Sequence, residues 1–180
     1  MRKVTAVLVL VAVLSGSMVA GCAGPGPRPP LVPSPSATPL FASDEEALAA
    51  AEAAYGEYLE VLDESLRTFD VSKLSHVASQ DALQGAIDAV LEFQEKGTRL
   101  VGHSLIDTSS LAAPSSMNEV SIYSCLDLSG TDVVNEAGDS TLPSSRTDRY
   151  PMEVRLVREP SSLRLLVYLE DVWTGGNFCE

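Results

Sequence analysis

Three patterns in the chain predict an α+β domain. Two segments of helical periodicity come first, strand-like alternation follows, and turn signals separate the alternating runs. Ser43-Asp44-Glu45-Glu46 reads as a capping box, with Ser43 as N-cap and Glu46 reaching back from the third helical position. Leu48, Ala51, Tyr55, Leu59, Leu62 and Leu66 then recur at three- or four-residue steps. That spacing paints one apolar stripe on a helix running to about Thr68. Residues 71–77 have room for a short helical turn. A second helix is expected from Ser79, with Leu83, Ala86, Ile87, Val90 and Leu91 on one side and Gly97 as its stop.

Beyond Gly97 the period changes to two. Residues 100–107 are expected as one strand and residues 119–128 as another. In the second, Val120, Ile122, Ser124, Leu126 and Leu128 share a face, while Ser121, Tyr123, Cys125 and Asp127 share the other. Residues 132–141 read as a hairpin turning at Ala137-Gly138-Asp139. Residues 150–158 and 163–173 alternate again, joined through Glu159-Pro160-Ser161-Ser162. Helices ahead of antiparallel strands imply N-terminal helices packed on one face of a curved, mostly antiparallel sheet.

The N-terminal segment has a different character. Arg2 and Lys3 precede an uncharged run over residues 4–14 made almost entirely of Val, Leu and Ala, the n-region and h-region of an export signal. Val19-Ala20-Gly21-Cys22 then resembles the lipobox of bacterial lipoproteins, with Val in place of the commonest Leu at its first position. The resemblance implies that residues 1–21 are removed as a signal peptide and that the Cys22 thiol carries a diacylglyceryl group. An uncleaved membrane helix over residues 4–24 is the alternative, since about 20 apolar residues can span a bilayer. The Ser- and Gly-rich stretch over 15–24 makes a poor end for such a helix. Either anchor places the remainder on the outer face of the cytoplasmic membrane, in the cell envelope.

Residues 22–42 form the lipidated cysteine and its linker, which holds seven of the eleven prolines. Proline fixes φ and donates no hydrogen bond, so this stretch favours extended polyproline backbone. At about 3.1 Å per residue it tethers a domain up to roughly 50 Å from the membrane.

Residues 43–180 resemble the NTF2-like (SnoaL-like) domains of exported actinobacterial lipoproteins. The order of elements carries the likeness, together with Ala53-Ala54-Tyr55, Cys125-Leu126-Asp127-Leu128-Ser129-Gly130 and Cys179. The resemblance implies a sheet that wraps the helices into an open cone. Nine arginines against three lysines, with abundant alanine, suit a GC-rich genome of that kind.

Composition excludes several functions. Acids outnumber bases 25 to 12, giving a formal charge of −13, which repels phosphate backbones and argues against a nucleic-acid partner. Three cysteines and two histidines leave few ligands for a soft metal, so neither metal nor cofactor is expected. Phosphate-cradling glycine loops, His-Glu-x-x-His and nucleophile elbows are missing from the sequence. With Cys22 acylated, Cys125 and Cys179 are the remaining thiols of an exported chain, and a disulfide between them is expected; two unpaired thiols are the alternative.

The candidate site residues are correspondingly sparse. On one strand, His103, Leu105 and Asp107 would alternate onto one side, where an imidazole and a carboxylate could relay a proton. Asp127 and Asp171 are further acids for such a site. Tyr123, Tyr168 and Trp173 would line a mostly apolar pocket, or Trp173 would plug the core. The leading expectation is a non-catalytic envelope lipoprotein displaying a binding or interaction domain. Its partner would be an envelope protein or a small apolar ligand, with a homodimer through the exposed sheet also open. The alternative is a cone-pocket hydrolase, dehydratase or isomerase using His103 and an acid.

Overall fold

The structure is a computed structural model and describes residues 40–179. The expected signal peptide, Cys22 and almost all of the proline linker lie outside the described residues.

Helix α1 spans Asp44–Thr68. Ser43 Oγ accepts the Glu46 N–H at 3.2 Å, while the Glu46 carboxylate accepts from Ala42 N–H, one residue beyond the expected N-cap amide. Leu40 and Phe41 pack against the core, so the packed unit begins ahead of the expected boundary at 43. A single 3-10 turn, Leu74–His76, leads to α2, Gln80–Glu95. Gly97 ends α2 at φ +63°, and Thr98 N–H donates back to the Phe93 carbonyl. Ala82, Ala86 and Val90 of α2 are buried; Leu91 is exposed, because the buried arc turns toward Ala82 rather than Leu91.

Six antiparallel strands complete the domain in two sheets. Strands β1 (Arg99–Gly102) and β4 (Thr131–Val134) form a two-stranded ribbon. Strands β2 (Leu105–Leu111), β3 (Glu119–Asp127), β5 (Arg149–Arg158) and β6 (Leu165–Val172) form a sheet in the order β2-β3-β5-β6. The inner face of this sheet carries Val120, Ile122, Leu126, Met152, Val154, Leu156, Leu165 and Val167, all buried with Ala47, Ala51, Tyr55, Tyr58 and Leu59 of α1. The helices therefore cover one sheet face, as the order of periodicities predicts.

The single strand expected over residues 100–107 is two strands in different sheets. Gly102 sits at φ +88°, and Arg67 Nη1 donates to its carbonyl at 2.8 Å. Just beyond, Asp63 takes both donors of Ser104: the backbone N–H and Oγ each lie 2.8 Å from a carboxylate oxygen. An amide held by a side chain is lost to the strand ladder, so the chain leaves β1, turns at His103, and enters β2. The second strand then runs on to Leu111, past the expected end. The hairpin expected over 132–141 is present in short form, with Asn135 N–H donating to the Asp139 carbonyl and one isolated bridge between Val134 and Ser140.

Cys125 and Cys179 form a disulfide, with Cα atoms 5.3 Å apart. It ties the C-terminal segment to the outer face of β3. In the chain-entropy description, a loop of 54 residues gives about 4 kcal/mol.

Two stability outcomes follow from this geometry. A Cβ at Gly102 would collide with the Gly130 carbonyl, and the positive φ is unfavourable for any L-residue. Gly102→Ala should therefore lower stability by at least ~2 kcal/mol in urea denaturation; an unchanged midpoint would show that the ribbon shifts freely. Replacing Cys125 and Cys179 together by Ala should lower stability by up to about 4 kcal/mol, and equal melting of the reduced and oxidised chain would count against a stabilising bridge.

Candidate functional site

An apolar pocket of about 600 Å³ opens between α1, the β1–β4 ribbon and the inner sheet face. Leu59, Leu62 and Leu66 of α1 form one wall; Leu100, Leu126, Leu128, Val133, Tyr150 and Met152 form the others. Phe93 of α2 contributes to the lining, as do Leu142, Pro143, Arg146 and Thr147 between β4 and β5. The pocket exists because residues 100–107 break. One continuous strand could not supply β1 to the ribbon and β2 to the sheet, and the space lies where these two diverge.

Three charged side chains reach this apolar space: Asp63, Arg146 and Glu170. Asp63 is buried and engaged by Ser104. The Arg146 guanidinium is held by Asp148 Oδ1 at 2.8 Å and by the carbonyls of Leu128 and Thr131 at 2.6 and 2.7 Å, with Thr131 Oγ1 at 3.3 Å. Glu170 belongs to β6 and meets two buried tyrosines of α1. Tyr55 Oη donates to Oε1 at 2.5 Å, and Tyr58 Oη to Oε2 at 3.0 Å. The tyrosine rings stack on each other, centroids 6.1 Å apart.

A β-bulge aims Glu170 inward. Leu156 pairs with Val167, but Arg155 pairs with Leu169, leaving Tyr168 as the extra residue. Strict alternation after the buried Leu165 and Val167 would place Leu169 inside and Glu170 outside. The inserted residue reverses that phase and puts Glu170 opposite the buried Val154. Sequence reasoning missed Glu170 for this reason: its period-two position is a solvent position. The only signal available was indirect, the pair Tyr55 and Tyr58 three apart on α1, whose hydroxyls need partners once buried.

Burial pushes the Glu170 carboxyl above the ordinary glutamate value; the two tyrosine donors pull the other way, and Asp171 adds to the rise. Burial, followed by the Glu170 charge, drives both tyrosine hydroxyls upward, so they remain donors.

The expected site residues fall elsewhere. His103 is exposed in the link between β1 and β2, outside the pocket lining, and it shares no strand with Asp107. Asp107 is ion-paired with Arg149, so the proposed imidazole–carboxylate pair is not formed. Tyr123 and Trp173 pack together on the outer sheet face, centroids 4.7 Å apart, with Phe178 at 5.9 Å from Tyr123. Together they cover the side of β3 that carries the disulfide, so Trp173 neither lines the pocket nor plugs the inner core. Tyr168 is the bulge residue on the outer side, where partial burial and then Glu119 raise its hydroxyl and Arg155 opposes them. Asp127 caps the turn at Ser129 N–H, and Asp171 is exposed.

No family model matches the chain, and no curated protein matches it. Among solved structures, the intermembrane-space region of the chloroplast protein ARC6 is similar, with a TM-score of 0.50 at 10% identity, over 69% of this chain and 95% of that one. A de novo designed β-sheet protein matches over 76% of this chain and 94% of its own, at 15% identity and a TM-score of 0.35. The first likeness is one of α+β fold; the second is too loose to say more.

The Glu170 shift has a signed consequence. A carboxyl with a raised folded-state pKa holds its proton more tightly in the folded chain, so its contribution is present at low pH. That contribution is lost as pH rises from the unfolded value through the folded one. Glu170→Gln keeps an acceptor without the charge, and its urea midpoint should gain on wild type as pH rises from about 4 to about 8; a pH-independent difference would refute the linkage. Tyr58→Phe removes the donor to Oε2 and should cost about 1–3 kcal/mol at neutral pH.

Proposed function

We propose that this chain is a lipid-anchored bacterial envelope protein whose NTF2-like domain binds a small apolar ligand without transforming it. The pocket carries the reading. A space of about 600 Å³ lined mainly by aliphatic side chains lies within the range of small-molecule sites, and a few polar groups converge on it. An interaction domain working only through its outer sheet would have a filled interior. The α+β likeness to the ARC6 region agrees with the scaffold and carries no information about the ligand.

The enzyme alternative as expected from the sequence used His103 and an acid, and these two do not meet in the pocket. His103 lies outside the pocket lining, and Asp107 is committed to Arg149. Arg146, the one basic residue in the lining, is held by four protein acceptors. What remains is an aliphatic chamber with two engaged carboxylates, which suits retention of a ligand better than turnover.

Placement rests on the N-terminal motif. The n-region, h-region and Val19-Ala20-Gly21-Cys22 support export and acylation, and the prolines between Gly24 and Leu40 support a stand-off tether.

Two experiments test the parts separately. Mass spectrometry of the membrane-extracted protein should find an N-terminal diacylglyceryl-Cys22; an intact Met1 with a free Cys22 thiol would remove the anchor. Calorimetric titration of the full chain with 1-adamantanol, a compact neutral probe, should show saturable binding. Leu142→Trp, placed at the pocket lining between β4 and β5, should weaken it by at least about tenfold. Unchanged affinity in that variant would mean that the pocket is not the site.

A further inference from the structure

The polar groups of the pocket carry more than its volume does. Asp63 and Glu170 both reach the apolar space, and among the described residues neither has a Lys, Arg or His nitrogen within 4.0 Å. Asp63 is answered by the two donors of Ser104, and Glu170 by the hydroxyls of Tyr55 and Tyr58. All four donors are neutral. The one cation in the lining, Arg146, is paired with Asp148, and three further donors point to the carbonyls of Leu128 and Thr131 and the Thr131 hydroxyl. The pocket is therefore short of positive charge.

Carboxylate oxygens have spare capacity in this arrangement. A carboxylate offers about four acceptor sites, and each Glu170 oxygen receives one tyrosine hydroxyl. The bulge at Tyr168 and the two tyrosines hold the group in one orientation against the pocket wall. Asp63 likewise takes one donor on each oxygen, but it is 2% exposed and its bonds to Ser104 hold the break between β1 and β2. Glu170 is only half-buried, which makes it the acid that a ligand in the pocket can reach.

On these observations we infer that the ligand is an apolar body carrying one protonated amine, seated with its ammonium at Glu170 and its hydrocarbon against Leu59, Leu62, Leu126 and Met152. The inference deepens the pocket-binding reading and rests on it. An ammonium supplies the charge that the site lacks and donates to the open lone pairs of the carboxylate. A charge-assisted bond of this kind is roughly twice as strong as a neutral one. Asp63 adds a second negative centre to the same chamber, and the chain's charge of −13 raises the local concentration of cations. An anionic head group of equal size would place a third negative charge beside two carboxylates. A neutral alcohol could donate to Glu170 but would leave its charge unanswered.

A matched series on one rigid body tests this: 1-adamantanamine, 1-adamantanol and adamantane-1-carboxylate, each titrated calorimetrically into the full chain at neutral pH. The amine should bind at least about tenfold tighter than the alcohol, and the carboxylate weakest. Glu170→Gln should abolish the amine's advantage, bringing its affinity to within about twofold of the alcohol's in the same variant. Should that variant melt below the assay temperature, Glu170→Met, which removes the charge at similar volume, is read the same way. Equal binding of amine and alcohol, or an amine preference that survives loss of the Glu170 charge, overturns the inference and leaves the pocket reading standing. Failure of all three compounds to bind overturns both.

Discussion

A carboxylate on the apolar side of a sheet has to be met by donors, and in this domain the first helix brings them. Tyr55 and Tyr58 reach Glu170 across 115 and 112 residues of sequence. The same helix reaches Ser104 through Asp63 and the Gly102 carbonyl through Arg67. These contacts fix the depth and rotation of α1 on the sheet, which hydrophobic contact alone specifies loosely because it has no direction. An unmet donor or acceptor at any of them would cost about 1–3 kcal/mol, a large part of a small domain's net stability.

The pocket is a by-product of those grips. Asp63 removes the Ser104 amide from the ladder, Gly102 adopts a backbone that other residues resist, and the chain divides between two sheets. The ribbon and the sheet then stand apart, and Leu100, Val133 and Leu142 line the space between them. Arg146 secures the far side by bonding the carbonyls at the end of β3 and the start of β4. An open space of this size leaves its aliphatic lining in contact with water, and covering that apolar surface with a ligand is favourable. That is the physical reason for reading the space as a site.

The outer face has a separate economy. The disulfide fastens the C-terminal segment across β3, and Tyr123, Trp173 and Phe178 close over that side. Tyr123 and Trp173 serve this seam rather than the large inner pocket, and Tyr123 with Phe178 lines a smaller pocket on the outer face. Tyr123 and Cys125 share the outward phase of β3, so their placement on one face was legible; the face on which the large pocket opens was not. Trp173 lies past the end of β6, where alternation gives no direction at all.

Periodicity in the sequence determined the two helices, the inner and outer phases of β3 and β5, and the order that makes an α+β domain. Each is a property of neighbours within one turn or one pleat, which short windows of sequence contain. The pairing of Cys125 with Cys179 was likewise legible as an expectation, because the lipobox resemblance set Cys22 aside. Tertiary structure alone decided where the expected strand breaks and where β6 bulges, and so which way Glu170 points. The break depends on Asp63, 41 residues from Ser104, and the inward acid depends on tyrosines more than a hundred residues away. One residue inserted in a strand reverses every side chain after it, and no local pattern reveals it: the energy that stabilises the reversal comes from the distant donors that the reversed acid meets.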